Sequence, residues 1–82
     1  MDTDRIRVIC KLLDISQVGL GRLLGYTGRT VRRWFSGELE IPLVVAMALE
    51  MMIDKNIKPE RAYFLATGEK VSRDHFKGGG GW

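Results

Sequence analysis

Four arginine side chains lie in one part of the chain that contains no acidic residue. The window from residue 15 to residue 37 holds Arg22, Arg29, Arg32 and Arg33. The other 9 of the 13 basic residues are balanced by all 10 acidic residues, so the excess positive charge lies in this window. Arginine presents a planar fork of donors that suits phosphate or the edge of guanine. The window therefore predicts a nucleic-acid-binding face, although a solvated basic face without a partner would explain the charge as well.

Two short helices joined by a glycine turn are predicted to position these arginines. Ser16 is a good N-cap for a second helix from Gln17 to Leu24, and Thr27 caps a third helix that ends at about Phe35. Gly25, between the two helices, is expected to take a positive φ, which costs most other residues free energy. Because Gly19 and Gly21 weaken the second helix, packing rather than local preference must hold it.

The two helices have distinct inner and outer faces. The apolar residues expected to lock them together are Leu20, Leu24, Val31 and Trp34. Gly21 has no Cβ, so the neighbouring helix can pass close to it. Trp34 is interpreted as a core residue rather than as a stacking platform. The residues left on the outward side of the third helix are Thr27, Gly28, Arg29, Thr30, Arg32, Arg33 and Ser36.

Three further helices complete an all-α prediction. A first helix from Asp4 to Leu13, capped by Thr3 or Asp2, carries apolar residues at helical spacing. A fourth, from about Pro42 to Asp54, is apolar nearly all round, which is typical of a helix central to a core or shared with another subunit. A fifth runs from Pro59 to about Thr67 and is closed by Gly68. No period-2 alternation or hairpin signal predicts a strand.

The chain is long enough for one small domain only. We expect this domain to span residues 1–68. Residues 69–77 are polar and mixed in charge, and are interpreted as a polar tail or a dimer arm that a partner orders. Residues 78–82, four glycines and a tryptophan, are interpreted as an engineered Gly-Trp tag, with a natural tail as the alternative.

Several functional classes are excluded by composition. One cysteine, Cys10, forms no intrachain disulfide, and with one histidine, His75, it cannot build a zinc site. No nucleophile and base, and no carboxylate pair, are placed for catalysis, so we expect neither an enzyme nor a cofactor. The apolar stretch from Ile41 to Ile53 is too short for a membrane span, and the acidic start is unlike a signal peptide. These features predict a cytoplasmic protein without a membrane, metal or small-molecule ligand.

The central segment resembles the helix-turn-helix of the lambda-repressor and Cro family, also called the xenobiotic-response-element family. The residues that carry the resemblance are Ile15-Ser16-Gln17, then Leu23-Leu24-Gly25, then Val31-Arg32-Arg33-Trp34-Phe35-Ser36-Gly37, and finally Pro42. The resemblance covers roughly residues 5–68. It implies a compact five-helix lambda-repressor-like DNA-binding domain whose third helix lies in the major groove of double-stranded DNA.

The resemblance assigns roles to the outward residues. Base reading falls to the start of the third helix and one turn further on, where Arg29 and Arg33 lie four residues apart on one face. Ser36, further along, is added to the base-reading set. Gln17 matches the glutamine with which the family binds phosphate. The other residues expected at phosphates are Thr27, Thr30, Arg32 and Arg22, of which Arg22 could instead only balance solvent. Gly28 departs from the family, which commonly has a long polar side chain there.

The sequence as a whole predicts a sequence-specific transcriptional regulator, a repressor that acts by operator occlusion. One recognition helix covers too few base pairs to select a site, so we expect a homodimer on a near-palindromic operator. The residues expected at the dimer interface are Met47, Met51, Met52, Tyr63 and Phe64. The alternative is a protein-interaction module, such as an antitoxin that presents the apolar helix 42–54 to a partner protein. RNA is a weaker candidate, because its deep, narrow major groove admits a helix poorly.

Overall fold

A computed structural model describes residues 1–78, which form five α-helices, one short 3-10 helix and no strand. The α-helices are α1 (Thr3–Leu13), α2 (Gln17–Leu24), α3 (Gly28–Phe35), α4 (Leu43–Asp54) and α5 (Pro59–Thr67); the 3-10 helix is Arg73–Phe76. The all-α prediction is confirmed for these residues, and only the starts of α1 and α4 differ from the predicted bounds, each by one residue. Most of the segment interpreted as an engineered tag, residues 79–82, lies outside the described residues.

Side-chain caps begin the first three helices. The Asp2 carboxylate accepts from the Arg5 amide at 2.8 Å, the Ser16 hydroxyl from the Gly19 amide at 2.9 Å, and Thr27 Oγ1 from the Thr30 amide at 3.2 Å. Each bond satisfies an amide that the first helical turn leaves without an intrahelical partner. The sequence therefore fixes where α1, α2 and α3 begin through local chemistry.

The core lies where α1 packs against α3 and α4, and where α2 packs against α3 and the 3-10 helix. The first helix buries a stripe consisting of Ile6, Ile9, Cys10 and Leu13. Leu20, Val31 and Trp34 are buried as expected, and Leu24 is partly buried at the core's edge. Met52 is also a core residue, only 6% exposed, so its prediction as an interface residue is wrong: it faces inward from α4 beside Val45 and Leu49.

The opposite side of α4 is apolar and open. The residues exposed on it, here called the α4 stripe, are Leu43, Val44, Met47 and Met51. Spacings of four residues place Leu43, Met47 and Met51 on one face. The helix thus has more apolar surface than the core of this chain covers. No helix in the part of the chain that the structure describes is long and apolar enough to cross a membrane.

The packed unit continues beyond the predicted domain end at residue 68. Phe76 is fully buried and belongs to the core cluster, and Val71 packs against that cluster. These two are the only apolar residues among residues 69–77. Because the rest of the segment is polar, its composition did not predict that Phe76 would be buried in the core. Residues 69–78, here called the C-terminal segment, thus lie against the helices instead of forming a separate tail.

Candidate nucleic-acid interface

The turn between α2 and α3 is built on glycines. Gly25 takes a φ of 80°, as predicted, and its amide donates to the Gly21 carbonyl at 2.8 Å. The Tyr26 amide donates to the same carbonyl at 2.9 Å. A Cβ at Gly21 would lie 2.6 Å from the carbonyl oxygen of Tyr26, so only glycine allows the chain to return this closely. The two contacts fix the direction in which α3 leaves the turn.

The inner side of α3 is closed by aromatic packing. Trp34 is 1% exposed, and the Tyr26 ring meets it edge-on with centroids 4.8 Å apart. The burial of Trp34 favours the core interpretation over a stacking platform for bases. Val31 and Phe35 are also buried, and the remaining positions of α3 face solvent or its margin.

Three arginines share the outer side of α3. Arg29 and Arg32 are exposed and have no ion-pair partner among residues 1–78. Arg33, one turn beyond Arg29, is half-buried. Together with Ser36 and Glu38, the three line one shallow hollow. The structure thus brings the predicted base-reading residues together on one surface.

Glu38 is a member of this surface that sequence reasoning missed. Its Oε1 lies 3.6 Å from Nε of Arg33, an ion-pair distance rather than a hydrogen bond. The signal that could have found it is its position one residue past the acid-free window. A carboxylate here both reduces the positive charge of the surface and restricts Arg33.

The hydroxyl groups of this surface are already hydrogen-bonded within the chain. Thr27 and Thr30 hydroxyls lie 3.0 Å apart at the start of α3. The Ser36 hydroxyl donates to the Arg33 carbonyl at 3.1 Å and accepts from the Glu38 amide at 3.4 Å. Thr27 and Ser36 are exposed at opposite ends of α3, and the positive end of the helix dipole lies at the threonine end.

Gln17 and Arg22, the two α2 side chains predicted at phosphates, are both restricted within the chain. Gln17 is 9% exposed, so little of its side chain is open to a partner. Arg22 is exposed, but its Nη1 donates to the His75 carbonyl at 3.0 Å. Arg22 thus contacts the C-terminal segment, whose packing was not foreseen from the sequence.

Gly28 leaves open space at the first turn of α3. A Cβ built on it would have no heavy atom within 4 Å, and its φ is not in the left-handed region. The departure from the family pattern is therefore not imposed by packing. A side chain at this position would project from the exposed start of α3.

The rest of the described chain supplies little reactive chemistry. Burial raises the pKa of the Cys10 thiol to about 12, which keeps it protonated and a poor nucleophile at neutral pH. Among the residues described, no cluster of three or more His, Cys, Asp and Glu side chains could hold a metal ion. The exposed arginine face is thus the strongest candidate for a functional surface.

Comparison with known proteins gave no relative of this chain. No protein-family model, no curated protein and no solved structure matches it. The choice of function depends accordingly on the geometry of α2 and α3 and on the charges that they carry.

Proposed function

We propose that the protein is a sequence-specific regulator of transcription that binds double-stranded DNA through a lambda-repressor-like helix-turn-helix formed by α2 and α3. The observation that carries the proposal is the asymmetry of α3. Val31 and Trp34 close one side of the helix, while Arg29 and Arg32 extend from the other without ion-pair partners among residues 1–78. A helix with this asymmetry fits the major groove of B-form DNA.

The arginines have different roles in this proposal. Arg29, in the first turn of α3, reads a guanine edge, and Arg33, four residues on, reads a second base. Arg32 lies on the same outer side but off the line that joins Arg29 to Arg33, and binds a phosphate. Thr27 and Thr30, at the start of α3, lie where the helix dipole favours phosphate oxygens. Ser36, at the far end of α3, contacts a base once its hydroxyl no longer donates to the Arg33 carbonyl.

A homodimer on a near-palindromic site follows from the range of one recognition helix. The α4 stripe supports this part of the proposal, because exposed apolar side chains in one row favour burial against a partner. Two-fold symmetry would place the recognition helices about 34 Å apart, one turn of DNA. Bound there, the protein acts as a repressor by occluding the operator.

The same stripe favours a second candidate function, an interaction module that presents α4 to a different protein. Leu43 and Val44 are 74% and 73% exposed, so most of their apolar surface is open to a partner. An antitoxin that holds its toxin through this helix would leave the arginines of α3 with a secondary role. Loss of DNA binding in α3 variants separates the two candidates.

The salt dependence of binding to a random-sequence duplex tests the proposal without knowledge of the operator. Each phosphate neutralised contributes about −0.9 to the slope of log K against log salt. We expect a steep slope for the wild-type protein and a slope reduced by about 1 for Arg32→Ala. Arg61→Ala, which removes the same charge from exposed Arg61 on α5, is the matched control and should bind like the wild type. A flat slope, or equal losses in Arg32→Ala and Arg61→Ala, would contradict the proposal.

A further inference from the structure

The C-terminal segment lies on the start of α2 and supplies carbonyl oxygens to it. The Phe76 carbonyl accepts from the Ser16 amide at 3.0 Å, and the Gly78 carbonyl accepts from the Ser16 hydroxyl. The His75 carbonyl accepts from Nη1 of Arg22 at 3.0 Å. Three carbonyl oxygens thus meet donors at the N-terminus of α2 and on its exposed side.

The contact is close and specific. A Cβ built on Gly19 would lie 1.7 Å from the Phe76 carbonyl oxygen, so α2 can accept the segment only because residue 19 is glycine. The Phe76 side chain is fully buried, with the Tyr63 ring edge-on at 5.5 Å. The docked position is therefore built into both elements.

Ion pairs hold the segment on its other side. The Asp14 carboxylate lies 2.9 Å from Nζ of Lys77 and 3.5 Å from Nη2 of Arg73. Asp14 ends α1 in the left-handed conformation, immediately before α2. Arg73 and Lys77, two of the segment's three cations, thus lie at the corner between α1 and α2, where Asp14 partly neutralises them.

We propose that the C-terminal segment is an intramolecular competitor of the DNA backbone. This inference rests on the proposed function. A helix N-terminus and an arginine beside it attract anionic oxygens, and here the carbonyl oxygens of His75 and Phe76 occupy those donors. Docking leaves the α3 arginines open but closes the α2 side of the helix-turn-helix. DNA engages α2 fully only when the segment leaves, and departure also frees Arg73 and Lys77 from Asp14.

Gly19→Ala in the full chain tests the competition directly. Alanine favours the α2 helix, yet its Cβ cannot coexist with the docked Phe76 carbonyl. We expect duplex binding to tighten by about three- to tenfold, the worth of one or two regained hydrogen bonds. The salt slope should also steepen by about 1, because Arg22 gains a phosphate. Hydrogen exchange at the Ser16 amide should lose its protection in the DNA-free Gly19→Ala variant, because the Phe76 carbonyl no longer accepts from that amide.

Because Gly19→Ala also uncovers Phe76 and lowers stability, a second pair of variants tests the competition independently. Asp14→Asn removes the anchor of Lys77 and Arg73, and asparagine tolerates the left-handed backbone. Asp54→Asn makes the same charge change beside Lys55, on a different element, and is the control. We expect Asp14→Asn to bind duplex DNA about two- to fivefold more tightly than Asp54→Asn, since exposed ion pairs contribute little each.

The outcomes separate this inference from the proposed function. If the wild type binds DNA and Gly19→Ala and Asp14→Asn leave affinity, slope and Ser16 protection unchanged, the segment is a structural element only. In that case the competition is overturned while the proposed function stands. If neither the wild type nor the variants bind DNA under any salt condition, the proposed function and the competition both fall.

Discussion

Arg33 and Glu38 form an ion pair across the end of α3, with Nε and Oε1 3.6 Å apart. The pair joins the last turn of α3 to the loop that follows it. With the side chains 43% and 63% exposed, it contributes little to stability. Its main consequence is to restrict one of the two arginines proposed to read bases.

Glu38→Gln should therefore separate affinity from specificity. Removal of the carboxylate should raise affinity for random duplexes, because a negative charge leaves the surface proposed to face DNA. The freed Arg33 discriminates less well against the wrong base, where a bidentate arginine–guanine pair is worth about 1–3 kcal/mol. Competition binding with matched and mismatched duplexes measures both effects.

Glu40→Gln is the control for this prediction. Glu40 is exposed two residues further along the same loop and has no ion-pair partner among residues 1–78. Glu38→Gln and Glu40→Gln share one charge change, so identical effects on specificity would show that Glu38 does not orient Arg33.

Gly25→Ala should destabilise the fold through backbone conformation alone. Gly25 has a φ of 80°, and a Cβ there would meet no heavy atom within 4 Å. An L-residue in the left-handed region costs roughly 1–2 kcal/mol. Gly28→Ala has the same open surroundings without the positive φ, and should raise stability by about 0.5–1 kcal/mol. Thermal unfolding measures both variants, and a melting temperature for Gly25→Ala at or above that of the wild type would refute this explanation.

Local signals in the sequence accounted for the helices, because caps and glycine turns act over a few residues. Ser16, Thr27 and Gly25 are examples in which side-chain or backbone chemistry determines an element's end. The packing of the C-terminal segment could not be foreseen in the same way. Phe76 stands alone in a polar segment, and nothing near it in the sequence specifies which helices cover it.

The candidate site was predictable in composition but not in its internal contacts. The charge pattern located the arginines of α3, and helical spacing placed Arg29 and Arg33 on one face. The sequence could not show that Arg22 donates to the His75 carbonyl or that Arg33 pairs with Glu38, since both contacts depend on tertiary packing. Met52 was misassigned for a similar reason: α4 is apolar on all sides, so periodicity could not separate its core face from its exposed face.

Met47→Asp should disrupt self-association if the α4 stripe is the dimer interface. A charge in the middle of the stripe would be buried without a partner on association. Leu65→Asp is the control, because Leu65 is a similarly exposed apolar residue on α5, outside the stripe. Sedimentation at micromolar concentration should show a dimer for the wild type and Leu65→Asp, and a monomer for Met47→Asp. A wild-type monomer that binds duplex DNA one to one would contradict the dimer.

Acid should weaken the link between α1 and α4. Arg5 binds Glu50 through two hydrogen bonds of 2.8 Å and 2.7 Å, and the hydrogen bond from Arg5 holds the pKa of Glu50 below its usual value. A carboxyl whose pKa is lower in the folded state stabilises that state above its unfolded pKa of about 4.3. That contribution is lost as the pH falls through the folded pKa.

Glu50→Gln should accordingly lower the free energy of unfolding at neutral pH and flatten its decline in acid. Urea titrations at several pH values measure this difference. Glu40→Gln again supplies the control, since Glu40 makes no ion pair with any residue from 1 to 78. Parallel pH profiles for the wild type and Glu50→Gln would show that the Arg5–Glu50 pair does not contribute.

Selection of bound duplexes from a random DNA pool tests the central claim, that α3 reads bases, most directly. We expect enrichment of a near-palindromic site that contains guanines in half-sites one helical turn apart. The same selection with Arg29→Ala should lose preference at one position in each half-site, while Arg61→Ala should return the wild-type site. No enrichment with the wild-type protein, or an identical site with Arg29→Ala, would contradict the claim.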